Sequence, residues 1–468
     1  MQAFQIYYVE LSKYLIALMM ALYTYEGFAV FRFDNEERRA NIYIRQNILM
    51  FLIHLACFFS IYLVRSEMEY LFFYLFQLIL LYAAIMLFRM IYPHINRLLL
   101  NNVCMLLNIG FIMLTRLSFV RAQRQFMIAV FSLVLALLIP FIIRKLAFIR
   151  KLTWLYAAIG ITALTAVLIF GQTTYGSRRS FNLAGVNFQP SEFVKILFVF
   201  FVAGALYAST SFRQIFTTMV VAAAHVIVLV VSRDLGSALI LFVTYVLLVY
   251  IASGKWYYLA AGIIGGSVAS VLAYQIFSHV RVRVQVFLDP WGVIDSQGYQ
   301  ITQSLFSISS GGLFGLGMYQ GNPSSIPIVE ADFIFSAIAE ELGLIFAICV
   351  ILICLSCFIM CMNIAVSLND KFFRMVAFGL GITYITQVFL TIGGGTKFIP
   401  LSGVTLPLVS YGGTSILTTI ILFFIIAGLY MVKSDNEKSN LKPPPFPEQA
   451  DEEDVIHEEV KRKKKRRR

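Results

Sequence analysis

The chain has 468 residues, 59% of them apolar and 13% charged, with a formal net charge of +12. Soluble domains carry about 25% charged and about 45–50% apolar residues, and this excess cannot be hidden in a water-soluble body because surface outgrows core. Soluble enzymes and nucleic-acid-binding domains are excluded, and 43 Phe with 24 Tyr exclude collagen-like or disordered chains, which leaves a polytopic membrane protein.

Stretches long enough to cross about 30 Å of hydrocarbon are predicted at 11–31, 47–64, 70–88, 103–120, 126–143, 154–171, 191–208, 215–232, 236–252, 257–278, 333–363, 375–392 and 409–432. They must be helices, since lipid satisfies no free backbone group; the expected fold class is all-α. The apolar run after Lys13 is too long for a cleavable signal peptide and lacks a small-residue cleavage site. The six cysteines all lie in apolar segments. Cys354-x2-Cys357-x3-Cys361 has no His or carboxylate interleaved and reads as helix packing rather than as a metal site. His54, His94, His225 and His279 also lack metal-ligand spacing.

The charge sits in the body. Residues 434–468 hold ten basic and nine acidic residues, which leaves +11 for residues 1–433. Basic residues mark alternate loops: Arg32 to Arg45, Arg89 and Arg97, Arg144 to Lys151, Arg213, Lys255, Lys371 with Arg374, and Lys461–Arg468. That pattern predicts a cytoplasmic face there, an inner C-terminus and an outer N-terminus. A second set falls on the opposite, outer face: Arg121 and Arg124, Arg178 and Arg179, Arg233, and Arg281 with Arg283. Snorkelling suits Arg121 or Arg281, but so many arginines on one face fit an anionic ligand better, because guanidinium matches phosphate bidentately. Two outer loops are long, 171–189 and 279–331. The second has Gly turns and an apolar run, Ile301–Ile308, and is expected to fold against the bundle. The tail from Ser434, with its PPPFP spacer, acidic block and KRKKKRRR end, reads as disordered.

Six strings stand at span ends on the outer face: GSRR at Gly176–Arg179, QPSE at Gln189–Glu192, RDLGS at Arg233–Ser237, GYQITQSL at Gly298–Leu305, DFIFSAIAEELG at Asp332–Gly343 and PLVSYGGTS at Pro407–Ser415. In this order they resemble the SEDS family (shape, elongation, division and sporulation; RodA-, FtsW- and SpoVE-like proteins) over about residues 103–432. The resemblance implies a ten-helix core at 103–432 that carries the large loop 279–331. About three additional transmembrane helices in 1–102 have no assigned role, and 433–468 is a charged cytoplasmic tail. It also implies a peptidoglycan glycosyltransferase of the bacterial cytoplasmic membrane. Such an enzyme polymerises lipid II, an undecaprenyl-diphosphate-linked disaccharide peptide, at the outer face in division or elongation. A class B penicillin-binding protein transpeptidase is the implied partner. The family's essential acid falls on Asp332. Two departures are visible: the usual Gln-Pro-Asp-Leu-Gly is Ser232-Arg233-Asp234-Leu235-Gly236, and Gly292-Val293-Ile294 follows Trp291 where the family has x-Asp-Pro.

Glycan polymerisation needs a base for the attacking sugar hydroxyl and positive charge or a metal for the departing pyrophosphate. By residue type Asp332 is an N-cap for the helix it opens; by the resemblance it is the catalytic group. Arg179, Arg233 and Lys397 are the candidate pyrophosphate ligands. Glu192 follows Pro190 at a helix start, and with Lys195 it reads as a pair that shapes the cavity. Asp234 and Gln300 complete the candidate cavity residues. Glu340 and Glu341 fall within a span, where carboxylates need partners, and read as structural partners of arginine or backbone groups. No metal-ligand spacing is visible. A divalent ion, Mg or Mn, would suit pyrophosphate chemistry, with Asp234 and Asp332 as oxygen donors. A lipid II flippase and a non-catalytic scaffold of the cell-wall machinery stay open. Transporters, however, usually carry ionisable groups at the midplane, whereas the charged strings here gather at one face.

Overall fold

The structure, a computed structural model, describes residues 2–145, 147–174, 177–183 and 186–441. Among these, thirteen helices are long and apolar enough to cross a membrane. Three come first: α1 (Gln2–Ala29), α2 (Glu36–Arg65) and α3 (Met68–Ile91). Ten follow, starting with α4 (Arg97–Leu117) and α5 (Phe119–Ala136). The α5 span runs on into α6 (Ile139–Lys145) after a break just before Pro140, whose ring cannot donate into the helix ladder. After α7 (Thr153–Phe170) come three short antiparallel strands in sequence order, β1 (Gln172–Thr174), β2 (Ser177–Leu183) and β3 (Val186–Phe188). Then follow α8 (Pro190–Ala208), α9 (Phe212–Val231), α10 (Leu235–Ser253) and α11 (Trp256–Ile276). The long connection holds α12 (Ser278–Leu288) and α13 (Tyr299–Gly311), before α14 (Ile334–Ser367), α15 (Lys371–Gly395) and α16 (Gly413–Leu441).

Helix starts follow short polar side chains. Asn35, Asn96 and Asp370 each accept backbone N–H groups of the first turn of α2, α4 and α15, which removes orphan donors at those ends. The expectation of a folded long connection holds: α13 packs along α14 and buries Ile301. All six cysteines are buried as free thiols. His54 and His225 are buried among aromatic rings, as packing residues.

α4 is the axis of the molecule. Residues 98–116 are buried on every side, with α2, α3, α5 and α14 packed around them. Its asparagines donate hydrogen bonds across helix interfaces, the arrangement lipid favours. Asn101 Nδ2 donates to Tyr43 O (3.2 Å), Asn102 Nδ2 to Ser356 Oγ (3.1 Å) and Asn108 Nδ2 to Met50 O (3.2 Å). These partners also explain a shift in boundary. Asn101 and Asn102 interrupt the apolar pattern, so a division at 102/103 falls inside a helix that begins at Arg97.

α14 is kinked at Gly343 (φ 89°, ψ 168°). There the segment after α13 crosses so closely that a Cβ on Gly343 would lie 2.3 Å from Gly315 N. Leu344 N and Ile345 N, diverted from the helix ladder, donate instead to Gly312 O and Leu313 O (3.0 and 3.1 Å).

Candidate functional site

At one end of the bundle lies a cavity of about 1050 Å³. The first turns of α5, strand β2, the start of α8, α12, α13 and the loops before α14 and α16 enclose it. Its charged lining includes Arg121, Arg179, Arg283, Glu192, Asp332 and Lys397. The volume suits a large ligand, since drug-sized pockets run about 300–1,000 Å³.

The centre of the charge is at Gly403. A Cβ placed there would be 3.5 Å from Arg179 Nη1, 3.8 Å from Arg283 Nη2 and 3.8 Å from Asp332 Oδ2. The 401–403 backbone holds both arginines: Arg179 Nη1 donates to Gly403 O (3.0 Å), and Arg283 Nη1 donates to Leu401 O and Ser402 O (both 3.0 Å). Gly403 has φ +71°, a left-handed conformation that costs other residues about 1–2 kcal/mol. Burial raises the Asp332 carboxyl above the ordinary aspartate value, and the Arg179 and Arg283 charges pull it part of the way back. Burial also lowers Arg283, helped by Arg179 and opposed by Asp234 and Asp332.

Asp332 is not a helix cap. The N-cap of α14 is Phe333, and its carbonyl receives Ser336 N and Ala337 N. The backbone around Asp332 is fixed from the PLVSYGGTS turn instead. Ser410 Oγ donates to Ala331 O (2.5 Å) and Tyr411 N to Glu330 O (2.7 Å). That turn is in turn held by Gln125 of α5, whose Nε2 donates to Ser410 O (3.0 Å) and whose Oε1 accepts from Gly412 N (3.2 Å). Arg121 forms an ion pair with Glu330 and lies over the Tyr411 ring. Arg121 therefore faces the cavity rather than snorkelling, because a carboxylate is within its reach on the protein side. Arg281 points away: it is exposed and donates to Gln275 O (3.0 Å).

Of the predicted site residues, Arg179, Glu192, Gln300, Asp332 and Lys397 line the cavity, and Lys195, Arg233 and Asp234 do not. Lys195 lies behind the wall, paired with Glu192 (2.8 Å) and donating to Gln387 Oε1 (2.6 Å), so the expected pair forms. Arg233 is exposed in a left-handed turn (φ 64°), close enough to His279 that its charge, after burial, lowers that imidazole. Asp234 is buried: Oδ1 caps α10 through Ser237 N (3.2 Å) and Oδ2 accepts from Ser191 Oγ (3.1 Å). With those oxygens committed and two guanidiniums beside Asp332, the donor set does not fit a divalent ion held by Asp234 and Asp332 together. Among the described residues no three His, Cys, Asp or Glu side chains converge for a metal. Asp289 and Asp295 are exposed and do not line the cavity. Arg283, one of the outer-face arginines, lines the cavity beside Asp332, and Gln125 supports the site without any signal in the sequence.

A family model described as a cell cycle protein, for FtsW, RodA and SpoVE, matches residues 96–435. The chain belongs to this family. Every cavity residue named above falls within the matched span. The chain is 34% identical over 371 residues to the peptidoglycan glycosyltransferase RodA of Mycobacterium tuberculosis, covering 72% of this chain and 78% of that one. It is 31% identical over 340 residues to a probable peptidoglycan glycosyltransferase FtsW of Hydrogenovibrio crunogenus, covering 68% and 87%. Its fold is similar to that of the rod shape determining protein RodA of Thermus thermophilus (TM-score 0.55, 22% identity, 72% of this chain and 97% of that one). It is similar also to a chain from a peptidoglycan synthase complex (TM-score 0.62, 23% identity, 72% and 98%). Ten membrane-length helices from α4 onward form the family core, and α1–α3 precede it.

Proposed function

We propose that this chain is a peptidoglycan glycosyltransferase that polymerises lipid II at the outer face of the bacterial cytoplasmic membrane. The observation that carries the reading is the convergence of Asp332, Arg179 and Arg283 around Gly403 at the edge of a large cavity. Membership of a family whose relatives bear that activity in their names supports it. In the proposed step Asp332 takes the proton of the acceptor sugar hydroxyl. The freed oxygen attacks the donor's anomeric carbon, and the bond from that carbon to the lipid pyrophosphate breaks. Arg179 and Arg283 meet the charge that collects on the departing pyrophosphate, and Lys397 and Arg121 extend the cationic lining for the rest of the substrate. The raised carboxyl of Asp332 brings it closer to the pH at which a base works best.

The same reading places the cavity end outside and assigns a class B penicillin-binding protein as the partner that cross-links the product. Purified protein in liposomes, supplied with lipid II, tests the reaction. Polymer made by the protein alone supports it. Lipid II that crosses the bilayer without polymer would make the chain a flippase, and neither outcome would leave a scaffold.

A further inference from the structure

Helices α1–α3 lie ahead of the family match, yet they are built into the body around the site. Tyr23 on α1 donates to Asn102 Oδ1 on α4 (3.2 Å), and Asn102 reaches Ser356 on α14. Further along, α1 lies against the segment that follows α13. The Tyr14 and Phe314 rings are 5.0 Å apart, and a Cβ on Gly317 would be 2.9 Å from Val9 Cγ1. At the end of α2, Arg65 Nε donates to the Tyr319 hydroxyl (3.3 Å), with its guanidinium 5.2 Å from the ring centroid.

Tyr319 also joins this contact to the core. Arg116 of α4 lies 4.2 Å from the Tyr319 ring centroid and pairs with Glu341 of α14 (2.7 Å). Tyr319 N donates to the same carboxylate (3.1 Å), and Asn322 N donates to Glu340 Oε1 (2.6 Å). Leu316 N and Gly317 N donate to the carbonyls of Glu340 and Glu341 (2.9 and 3.0 Å). Tyr319 holds φ 65°, a conformation that persists only where its surroundings over-determine it. The 316–322 segment is thus fastened to the first turns of α14, the helix that begins two residues after Asp332, while α1 and α2 press on its other side.

We infer that Arg65 and Tyr319 are positioning residues for glycosyl transfer. The α1–α2 pair braces the 312–322 segment, and the segment, through Glu340 and Glu341, fixes the start of α14 and so the placement of Asp332 against Arg179 and Arg283. The inference rests on the proposed transfer reaction. Sub-ångström placement governs rate rather than affinity, and an exposed guanidinium–ring contact is individually weak, so the expected effect is moderate and lies in kcat.

The test uses the full chain in liposomes with lipid II, as wild type, Arg65→Gln, Arg65→Lys, Tyr319→Phe and the Arg65→Gln/Tyr319→Phe double variant. Tyr319→Phe keeps the ring over Arg116 and removes only the hydroxyl. Each of Arg65→Gln and Tyr319→Phe is expected to lower kcat about three- to tenfold with KM unchanged. The double variant should be no worse than the poorer single, and Arg65→Lys should recover most of the loss. Backbone amide exchange should rise in residues 312–333 of the same variants and stay unchanged elsewhere. Wild-type kcat in both single variants, losses that multiply in the double, or a change confined to KM would overturn the assignment. If wild type itself forms no polymer, the proposed reaction fails and the exchange measurement alone decides the brace: a rise sustains it, and unchanged exchange overturns it.

Discussion

In the proposed reaction Asp332 acts as a base only when ionised, so activity should fall as the pH drops through its folded-state value. That value is raised above the ordinary one by burial, with Arg179 and Arg283 opposing. Removing Arg283 in Arg283→Gln takes away one opposing charge. The acid limb of the kcat/KM profile should then move to higher pH, and a limb that stays in place or moves down would detach Arg283 from Asp332. Because the folded value exceeds the unfolded one, ionising Asp332 works against folding, so the protein gains stability as the pH falls through that range. Gly403→Ala should cost about 1–2 kcal/mol through its left-handed φ and slow polymer formation by crowding the three charged groups. Thermal unfolding and initial rates measured on one preparation check both effects. The place of Asp332 at the cavity was legible in the sequence because its string is distinctive. Arg283 was not: it is paired in sequence with Arg281, and two residues apart on a helix point to nearly opposite sides, so only the fold tells which one faces in. Arg233 stands where its string departs from the family pattern, and it is exposed beside the cavity lining rather than in it.

At the level of elements, α14 joins the site to the core. Arg116 and Glu341 form an ion pair in which the Glu341 side chain is fully buried. Removing one member of such a pair leaves an uncompensated charge, so Arg116→Ala is expected to destabilise by about 3–5 kcal/mol. The apolar double variant Arg116→Leu/Glu341→Leu should recover much of that loss. Unfolding in detergent measures both, and equal losses in the single and double variants would show that the pair itself was the stabilising unit. The partners expected of Glu340 and Glu341 were legible because a carboxylate inside an apolar span has few alternatives. The strands β1–β3 were not: β1 and β3 are three residues each, and their pairing is set by tertiary position rather than by an alternating pattern. The start of α4 was obscured because hydropathy counts Asn101 and Asn102 as polar, whereas their partners on α2 and α14 lie far away in sequence.

Across the whole molecule, hydropathy located the thirteen spans found among the described residues, since lipid leaves helices as the available solution and their length is fixed by the bilayer. How the helices assemble, and which arginines meet, depends on contacts between distant segments and could not be read along the chain. The basic loops predict that Lys255 and the cavity end lie on opposite sides of the membrane. All six native cysteines are buried, so Lys255→Cys and Ser296→Cys, both at exposed positions, can be labelled separately with little background. An impermeant thiol reagent should reach Ser296→Cys in intact cells and Lys255→Cys only after permeabilisation. Labelling of both from one side would contradict the assigned orientation.

The central claim is that Asp332 carries the transfer, and the direct measurement is polymer formed from purified lipid II by wild type and by Asp332→Asn at equal protein amounts. Since Asp332 caps no helix, the variant should fold, insert and unfold thermally as wild type does, while its rate drops by about 10²–10⁴. Comparable polymer from a well-folded Asp332→Asn would contradict the account and take the base role away from Asp332.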